Sequence, residues 1–286
     1  MAEPTVRKRR LGAELGRLRE SAGMTLADVE ERTGLSESKV SRIEKARLGV
    51  KPGDLTSLLD LYDVDDAEKR DALHALARHG NARGWWQPYK DIISPAYADL
   101  ISLEAEASRM LSYETLLVPG LLQTTAYARA TIDAINMTES AERVNALAEV
   151  RTARQSVLTT RAEPLEFWAI IHEAALRPTI INNPQVMRDQ LQRLLDLQEL
   201  PNVSIQVVAL DTAPHPGMAG SFAVLSFPEA AADLDVVLVE SLTSALYVED
   251  TAEVSRYGAA FERLRASALP FDKTADLIAK TKDNIR

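Results

Sequence analysis

Apolar residues near the start of the chain recur at the spacing of an amphipathic helix. One face of this segment carries four of them, Leu11, Leu15, Leu18 and Ala22. Gly23 follows at a position typical of a helix C-terminus. The pattern predicts a first helix over about 8–22.

Two short helices joined by a tight turn are predicted next. Thr25 can cap a helix over 26–33, and a glycine directly after it indicates its end. Ser36 can then cap a third helix whose inward residues are Val40 and Ile43. Two helices connected in this way form the helix-turn-helix pattern.

Two more helices complete the first predicted domain. Pro52 fits the first turn of a fourth helix, whose apolar residues are Leu55, Leu58, Leu59 and Tyr62. A fifth helix is predicted over about 66–79. A segment that mixes the helix breakers Gly84 and Pro88 with three aromatic residues follows at 81–94, so we place the domain junction there. The first domain is therefore expected to cover residues 1–80.

The second domain, residues 95–286, changes its pattern midway. It is typical of helices from 95 to about 161, with an interruption at 118–120, and helices are again indicated near 184–199 and 250–268. Short runs rich in Val, Ile and Phe predict strands at 165–171, 203–210, 221–227 and 236–240. The expected fold is mainly α: a five-helix helix-turn-helix domain, then a larger α+β domain of helices and a small mixed sheet.

Charge is distributed unevenly along the chain. The net charge is −9, yet residues 1–51 hold twelve lysines and arginines against eight acidic residues. The remainder holds 21 basic and 34 acidic residues. Phosphate binding depends on local positive charge, so the basic N-terminal segment is the candidate nucleic-acid reader.

The third helix carries most of the candidate DNA-contacting side chains. The second helix of such a pair enters the major groove, where serines can hydrogen-bond and Lys39 or Arg42 can reach guanine or phosphate. The full candidate set is Thr25, Ser36, Glu37, Ser38, Lys39, Ser41, Arg42, Lys45 and Arg47. One module binds weakly, so we expect a homodimer on double-stranded DNA with an imperfect palindrome.

The stretch from Met24 to Glu44, with its glycine turn, serine cap and Val-Ser-Arg-Ile-Glu segment, resembles the XRE-type, Cro/repressor-like helix-turn-helix family. The preceding Leu-Arg-Glu at 18–20 adds to the likeness. The resemblance implies a DNA-binding transcription regulator. It also implies that Glu44 pairs with an arginine of the first helix, such as Arg19, instead of contacting bases.

Signatures of catalysis are scarce. The chain has no cysteine and four histidines, and His172-Glu173 lacks the second histidine of a zinc helix because Leu176 stands there. Neither a phosphate-binding loop nor a nucleophile elbow occurs. We therefore expect no enzyme activity, no metal and no cofactor, with an enzyme fused to a DNA-binding module as the weakest alternative. No run of about 18 apolar residues occurs, so we expect a cytoplasmic protein that is not bound to membranes.

Residues from about 85 to 280 resemble the uncharacterised domain that follows XRE-type modules in many actinomycete regulators. The segments that carry the likeness include Gly84-Trp85-Trp86, 103–107, 118–130, Arg151 with Arg154-Gln155, Gln190-Leu191, 220–222 and Val239-Glu240. The resemblance implies a regulator that is often encoded beside a small protein and is sometimes antitoxin-like.

Five polar residues of this domain are candidates for a ligand or partner site, namely Gln123, Tyr127, Arg151, Arg154 and Glu240. The alternative is that they belong to the core or form ion pairs with Glu104 or Glu106. The function expected overall is a DNA-binding regulator controlled through its C-terminal domain by a protein partner or small ligand. An antitoxin-like protein that uses its helix-turn-helix for autoregulation is the alternative.

Overall fold

The computed structural model describes residues 5–79, 85–135, 139–177, 183–228 and 234–285. Contacts between Cα atoms divide the chain into two compact units. The first consists of Met1–Gln87, Pro95–Ser102 and Phe227–Leu234; the second consists of Pro88–Ser94, Leu103–Ser226 and Asp235–Arg286. The domain boundaries expected from the sequence stay a prediction, and residues 81–84 of the expected junction lie outside the described residues.

The first unit contains the five N-terminal helices that the sequence predicts. They are α1 (Val6–Ser21), α2 (Leu26–Thr33), α3 (Glu37–Glu44), α4 (Pro52–Leu61) and α5 (Ala67–His79). Gly34 ends α2 in the left-handed region at φ +74°, which only a glycine adopts at little cost. Leu15, Val29, Leu55 and Leu58 are almost completely buried and form part of the core. The helix-turn-helix of α2 and α3 is thus built as expected.

Part of the basic N-terminal run is buried. The backbone N–H of Val6 donates to Oδ2 of Asp99 (3.1 Å), and the guanidinium of Arg7 donates to the carbonyl of Ser102. Arg10 lies over the ring of Phe227, 4.7 Å from its centroid. Arg7 and Arg10 are only 5% and 4% exposed, so these two cations hold α1 in its unit and are not available to phosphate.

Helix α1 approaches the end of α3 very closely at Gly12. A Cβ atom there would lie 2.5 Å from the carbonyl oxygen of Glu44 and 2.6 Å from that of Ile43. Both distances are below van der Waals contact, and both neighbours are backbone atoms that cannot rotate away. The position therefore needs a residue without a side chain.

The second unit is built around a six-stranded mixed sheet. Its strands are β1 (Arg109–Glu114), β2 (Glu166–His172), β3 (Val203–Val208), β4 (Phe222–Ser226), β5 (Val236–Glu240) and β6 (Ala245–Val248), in the order β3-β2-β1-β4-β5-β6. Strands β1, β2 and β3 are parallel, whereas β4, β5 and β6 pair antiparallel. Helix α6 (Pro95–Glu104) belongs to the first unit as far as Ser102. The helices of the second unit that follow are α7 (Thr125–Ile135), α8 (Ala141–Ala153), α9 (Pro184–Leu197), α10 (Thr251–Ser267) and α11 (Phe271–Asp283). The expected fold class is confirmed.

The expectation of helix throughout 95–161 is wrong at β1. Four consecutive residues of this strand, Met110 to Tyr113, are buried, so burial does not alternate between its two faces. The alternation of apolar and polar residues is confined to the short run 111–114, which is a weak signal for a strand covered on both sides. The sequence analysis also missed β6 and α11.

Helix α10 covers one face of the sheet. Phe261 and Leu264 of this helix belong to an apolar cluster that includes Leu111, Tyr113, Ile170, Phe222, Val224 and Val237. Side chains alternate between the two faces of a strand, so Ser112 and Glu114 point to the opposite face. That second face carries the polar groups described below.

Gly12→Ala is expected to destabilise the first unit by about 1–3 kcal/mol, because the added methyl must push α1 away from the α3 carbonyls. Gly16→Ala is the matched control. Its Cβ meets the Glu44 side chain at no less than 3.6 Å, so the gain in helix propensity should stabilise α1 by about 0.5–1 kcal/mol. Urea unfolding of both variants measures these changes, and equal effects of the two substitutions would contradict the close approach.

Candidate functional site

Helix α3 has one face fixed in the core and one face in solvent. Val40 and Ile43 are 1% and 2% exposed and pack inward. At the N-terminus, Oγ of Ser36 accepts from the backbone N–H of Lys39 (3.3 Å), and the N–H of Glu37 donates to Oε2 of Glu30 on α2 (2.8 Å). These contacts set the rotation of α3 about its axis and thereby select the side chains that face solvent.

Most of the candidate DNA-contacting residues lie on the solvent side. Ser41 is half-buried, and the exposed candidates are Thr25, Ser36, Glu37, Ser38, Arg42, Lys45 and Arg47. Lys39 differs from them, because its Nζ lies 2.7 Å from Oδ2 of Asp54 on α4. This ion pair neutralises Lys39 and ties α3 to α4, a contact that the sequence analysis did not anticipate.

A bidentate ion pair joins α1 to the last residue of α3. Nε and Nη2 of Arg19 donate to Oε1 and Oε2 of Glu44 at 2.7 and 3.1 Å, and Nη1 donates to the carbonyl of Met24 at 2.8 Å. The hydrogen bond to Glu44 raises the pKa of Arg19. Glu44 therefore has the structural contact that the family resemblance implies, because both of its carboxylate oxygens accept from Arg19.

Thr25 has a capping role in α2. Its hydroxyl accepts from the backbone N–H of Asp28 (3.2 Å), while the Asp28 carboxylate accepts from the backbone N–H of Thr25 (2.7 Å). The hydrogen bonds from Thr25 hold the pKa of Asp28 below its ordinary value. Thr25 remains exposed, so it can present its side chain at the N-terminus of α2, where the backbone dipole favours phosphate.

In the second unit, the side chains of Gln123 and Tyr127 are buried and form hydrogen bonds with the backbone of the protein. The Tyr127 hydroxyl accepts from the N–H of Val118 (3.2 Å), and Nε2 of Gln123 donates to the carbonyl of Val118 (2.7 Å). Gln155 and Gln190 bind further backbone groups between residues 120 and 124. Together these side chains hold the turn that separates β1 from α7.

Arg151 and Arg154 lie beside this turn. Nη1 of Arg154 is 2.9 Å from Oε1 of Glu104, a fully buried carboxylate, and Nη1 of Arg151 donates to Oε1 of Gln123 at 3.2 Å. A Cβ at Gly120 would overlap Nη2 of Arg154, so the absence of a side chain there makes room for the guanidinium. Oε2 of Glu104 is buried and has no hydrogen-bond partner.

Glu240 lies at the end of β5 in an acidic row of three residues, Glu114, Ser221 and Glu240. Tyr113 pairs with Phe222, and Ala223 pairs with Leu238. When the same registers are continued to the strand ends, Glu114 lies beside Ser221 and Ser221 lies beside Glu240. Neighbouring strands of a sheet are about 4.7–4.9 Å apart, so the three residues form a row across adjacent chain segments. The hydroxyl of Ser221 bonds Glu114 and also accepts from the backbone N–H of Thr115 (3.1 Å).

Burial changes the acidity of two carboxyls in this region. Desolvation raises the pKa of Glu104 to about 7, against the opposing effect of Arg154, and Glu240 adds to the increase. Desolvation likewise raises the pKa of Glu114 to about 7, although the Ser221 hydrogen bond lowers it and Glu240 raises it further. Arg151 and Arg154 also face Glu114, and the charge of Glu114 acts in turn on Tyr127.

The sequence analysis found Glu240 but not Glu114 or Ser221 as site residues. Glu114 is hidden in the strand that was taken for helix, and its neighbour across the sheet is more than 100 residues away in the sequence. Only strand pairing brings the three members of the row together. A polar residue at the end of an apolar run is the one local signal that could have indicated Glu114.

Within the described residues, no group of three or more His, Cys, Asp or Glu side chains has a geometry that could hold a metal ion. No helix in the same part of the chain is long and apolar enough to cross a membrane.

The paired helices α2 and α3, with their buried inner faces, define a helix-turn-helix protein. A family model described as a helix-turn-helix domain matches residues 10–73. The family model of a domain of unknown function, DUF5753, matches residues 97–280. This match covers more than half of the chain, so the protein belongs to that family. The expected resemblance to a helix-turn-helix regulator with an uncharacterised C-terminal domain is confirmed. No curated protein and no solved structure matches the chain.

Glu114→Gln should alter how stability depends on pH. The folded pKa of Glu114, about 7, exceeds its ordinary value of 4.5, so the folded state keeps a proton that the unfolded state releases between these values. This stabilising contribution is complete below about pH 4.5 and is lost as the pH rises through 7. The melting temperature of the variant, relative to wild type, should therefore increase between about pH 5 and pH 8.

Glu166→Gln is the control for this experiment, because Glu166 is exposed at the opposite end of β2. Its melting temperature should follow that of the wild type at each pH. Parallel curves for wild type and Glu114→Gln would show that Glu114 titrates normally.

Proposed function

We propose that this protein is a sequence-specific DNA-binding transcription regulator in which α3 reads the major groove. The observation that carries the proposal is the solvent face of α3. Ser38, Ser41 and Arg42 lie there on a helix whose opposite face is fixed by Val40 and Ile43. Serine hydroxyls and a guanidinium can bind base edges, and the helix fits the width of the groove.

Phosphate contacts are assigned to the end of α3 and the turn beyond it. Lys45 and Arg47 are exposed there, and Ala46 between them adopts a left-handed conformation at φ +56°. The N–H groups of Arg47 and Leu48 both donate to the carbonyl of Arg42, at 2.8 and 3.0 Å, which fixes the turn. Two cations on a rigid turn can set the register of α3 on the duplex.

We assign control of DNA binding to the second unit. Its acidic residues outnumber its basic ones, and it contains buried charged groups, Glu104 and Arg154, on which a ligand or a basic protein partner can act. Such control requires that the effector bind two states of the protein with different affinity. Action on chromosomal DNA would place the protein in the cytoplasm.

Arg42→Ala is expected to weaken binding to a selected DNA sequence by about 5- to 150-fold, because one bidentate base contact contributes about 1–3 kcal/mol. The sequence is obtained by selection from random duplexes, and affinity is measured by mobility shift. Arg129→Ala, which removes an exposed cation of α7, should bind as the wild type does. If Arg42→Ala binds DNA with the affinity of the wild type and selects the same DNA sequence, α3 does not read the bases.

The selected sequence is expected to be an imperfect palindrome bound by two chains. Two α3 helices reading equivalent half-sites require centres about 34–36 Å apart, or one helical turn of DNA. Inserting five base pairs between the half-sites rotates one half-site to the far side of the duplex and should abolish cooperative binding. An insertion of ten base pairs restores the phase and serves as control. Full affinity for an isolated half-site would contradict the dimer.

A further inference from the structure

A cation on the helix that is proposed to read DNA is bound by a carboxylate of the next helix. Lys39 lies in the first turn of α3, where its backbone N–H donates to Oγ of Ser36 (3.3 Å). In a helix-turn-helix, the N-terminal residues of this helix contact base edges. A lysine without a partner there can reach the duplex, yet Nζ of Lys39 lies 2.7 Å from Oδ2 of Asp54 on α4.

The ion pair between Lys39 and Asp54 is partly shielded from solvent. The side chains of Lys39 and Asp54 are 33% and 20% exposed, and the Oδ2 atom of Asp54 is buried. Salt screens such a pair less than it screens an exposed pair. The helix dipoles disfavour a cation in the first turn of α3 and favour an anion in the first turn of α4, where Asp54 lies. The pairing therefore suits the ends of both helices and should persist at ordinary salt concentrations.

A free lysine at position 39 would add affinity for DNA without adding discrimination between sequences. Its ammonium is a point charge on a flexible stem that binds any phosphate within reach, and phosphate contacts carry no sequence information. In a nonspecific complex the chain can shift along the duplex until a free cation meets a phosphate, whereas base contacts fix the register of a specific complex. A free Lys39 would therefore strengthen nonspecific binding more than specific binding.

We propose that Asp54 is a positioning residue that raises the sequence specificity of the protein by holding Lys39 away from phosphate. Specificity is a difference between two affinities, so a lower affinity for wrong sequences improves it as well as a higher affinity for the right one does. The inference rests on the proposed DNA-reading role of α3. It adds a residue of α4, outside the two helices of the helix-turn-helix, to those that determine which sequence is bound.

The experiment compares the full-length wild type with Asp54→Asn on the selected duplex and on a random-sequence duplex, over a range of salt concentrations. Asp54→Asn should bind the random duplex about five- to tenfold more tightly at about 0.1 M salt, because one more cation displaces counterions. For the same reason, its plot of log affinity against log salt concentration should be steeper by about 0.9. Affinity for the selected duplex should rise less than about threefold, so the ratio of the two affinities falls.

Asp60→Asn is the matched control, because it removes the same charge from the same helix. Asp60 is exposed and pairs with Arg70 of α5, so this substitution releases no cation of α3. The variant should keep the wild-type ratio of affinities and the wild-type salt slope. Asp54→Glu keeps a carboxylate beside Lys39 and should also bind as the wild type does. Thermal unfolding of each variant shows that it is folded.

The double variant Lys39→Gln/Asp54→Asn separates the release of Lys39 from the loss of the negative charge. It replaces a neutral ion pair by two neutral amides, so its affinity for the random duplex and its salt slope should equal those of the wild type. The inference is wrong if Asp54→Asn binds the random duplex as Asp60→Asn does, or if the double variant keeps the gain in affinity. With a wild type that selects a sequence, these results refute the role of Asp54 alone. A wild type that binds no duplex at low salt refutes both proposals.

Discussion

The close contact between α1 and the end of α3 is the constraint on which the helix-turn-helix depends. At Gly12 the α1 backbone approaches two carbonyl oxygens of α3, and beside it Arg19 holds Glu44 with two hydrogen bonds. A side chain at residue 12 or a shorter cation at residue 19 would let α3 turn or slide. Because the exposed side chains are fixed to this helix, its position decides which of them can meet a base edge.

The helices of the first unit could be predicted because their ends carry local sequence signals. The acidic row of the second unit could not, because its residues are far apart in the sequence. Thr25, Gly34 and Ser36 mark helix ends through hydrogen bonds and backbone angles that involve only near neighbours. The Lys39–Asp54 pair and the Gly12 contact require the packed helices. Glu114 was missed because its strand is buried on both faces and alternates between apolar and polar residues only over 111–114. Its neighbours in the acidic row are brought near by sheet register, which no local pattern encodes.

The buried polar groups of the second unit have two different roles. Around the turn at 118–124, Gln123, Tyr127, Gln155 and Gln190 satisfy backbone groups and keep an irregular segment in one conformation. Such a fully satisfied network stabilises and specifies the fold. The carboxyl of Glu104 is only partly satisfied, and burial raises the pKa of both Glu104 and Glu114, so these two groups are sensitive to their surroundings. Polar groups of the first kind hold the frame within which those of the second kind can respond.

The internal use of arginines has a consequence for the electrostatics of DNA association. Of the twelve cations in residues 1–51, at least six interact within the protein: Arg7, Arg9, Arg10, Arg17, Arg19 and Lys39. At most six can then displace counterions from the duplex. The plot of log affinity against log salt concentration should therefore have a slope from this segment of at most about five per chain, half the value that a count of its basic residues would give. The cations of this segment that make internal contacts hold α1 and α3 in place, and they contribute less to the long-range attraction for DNA.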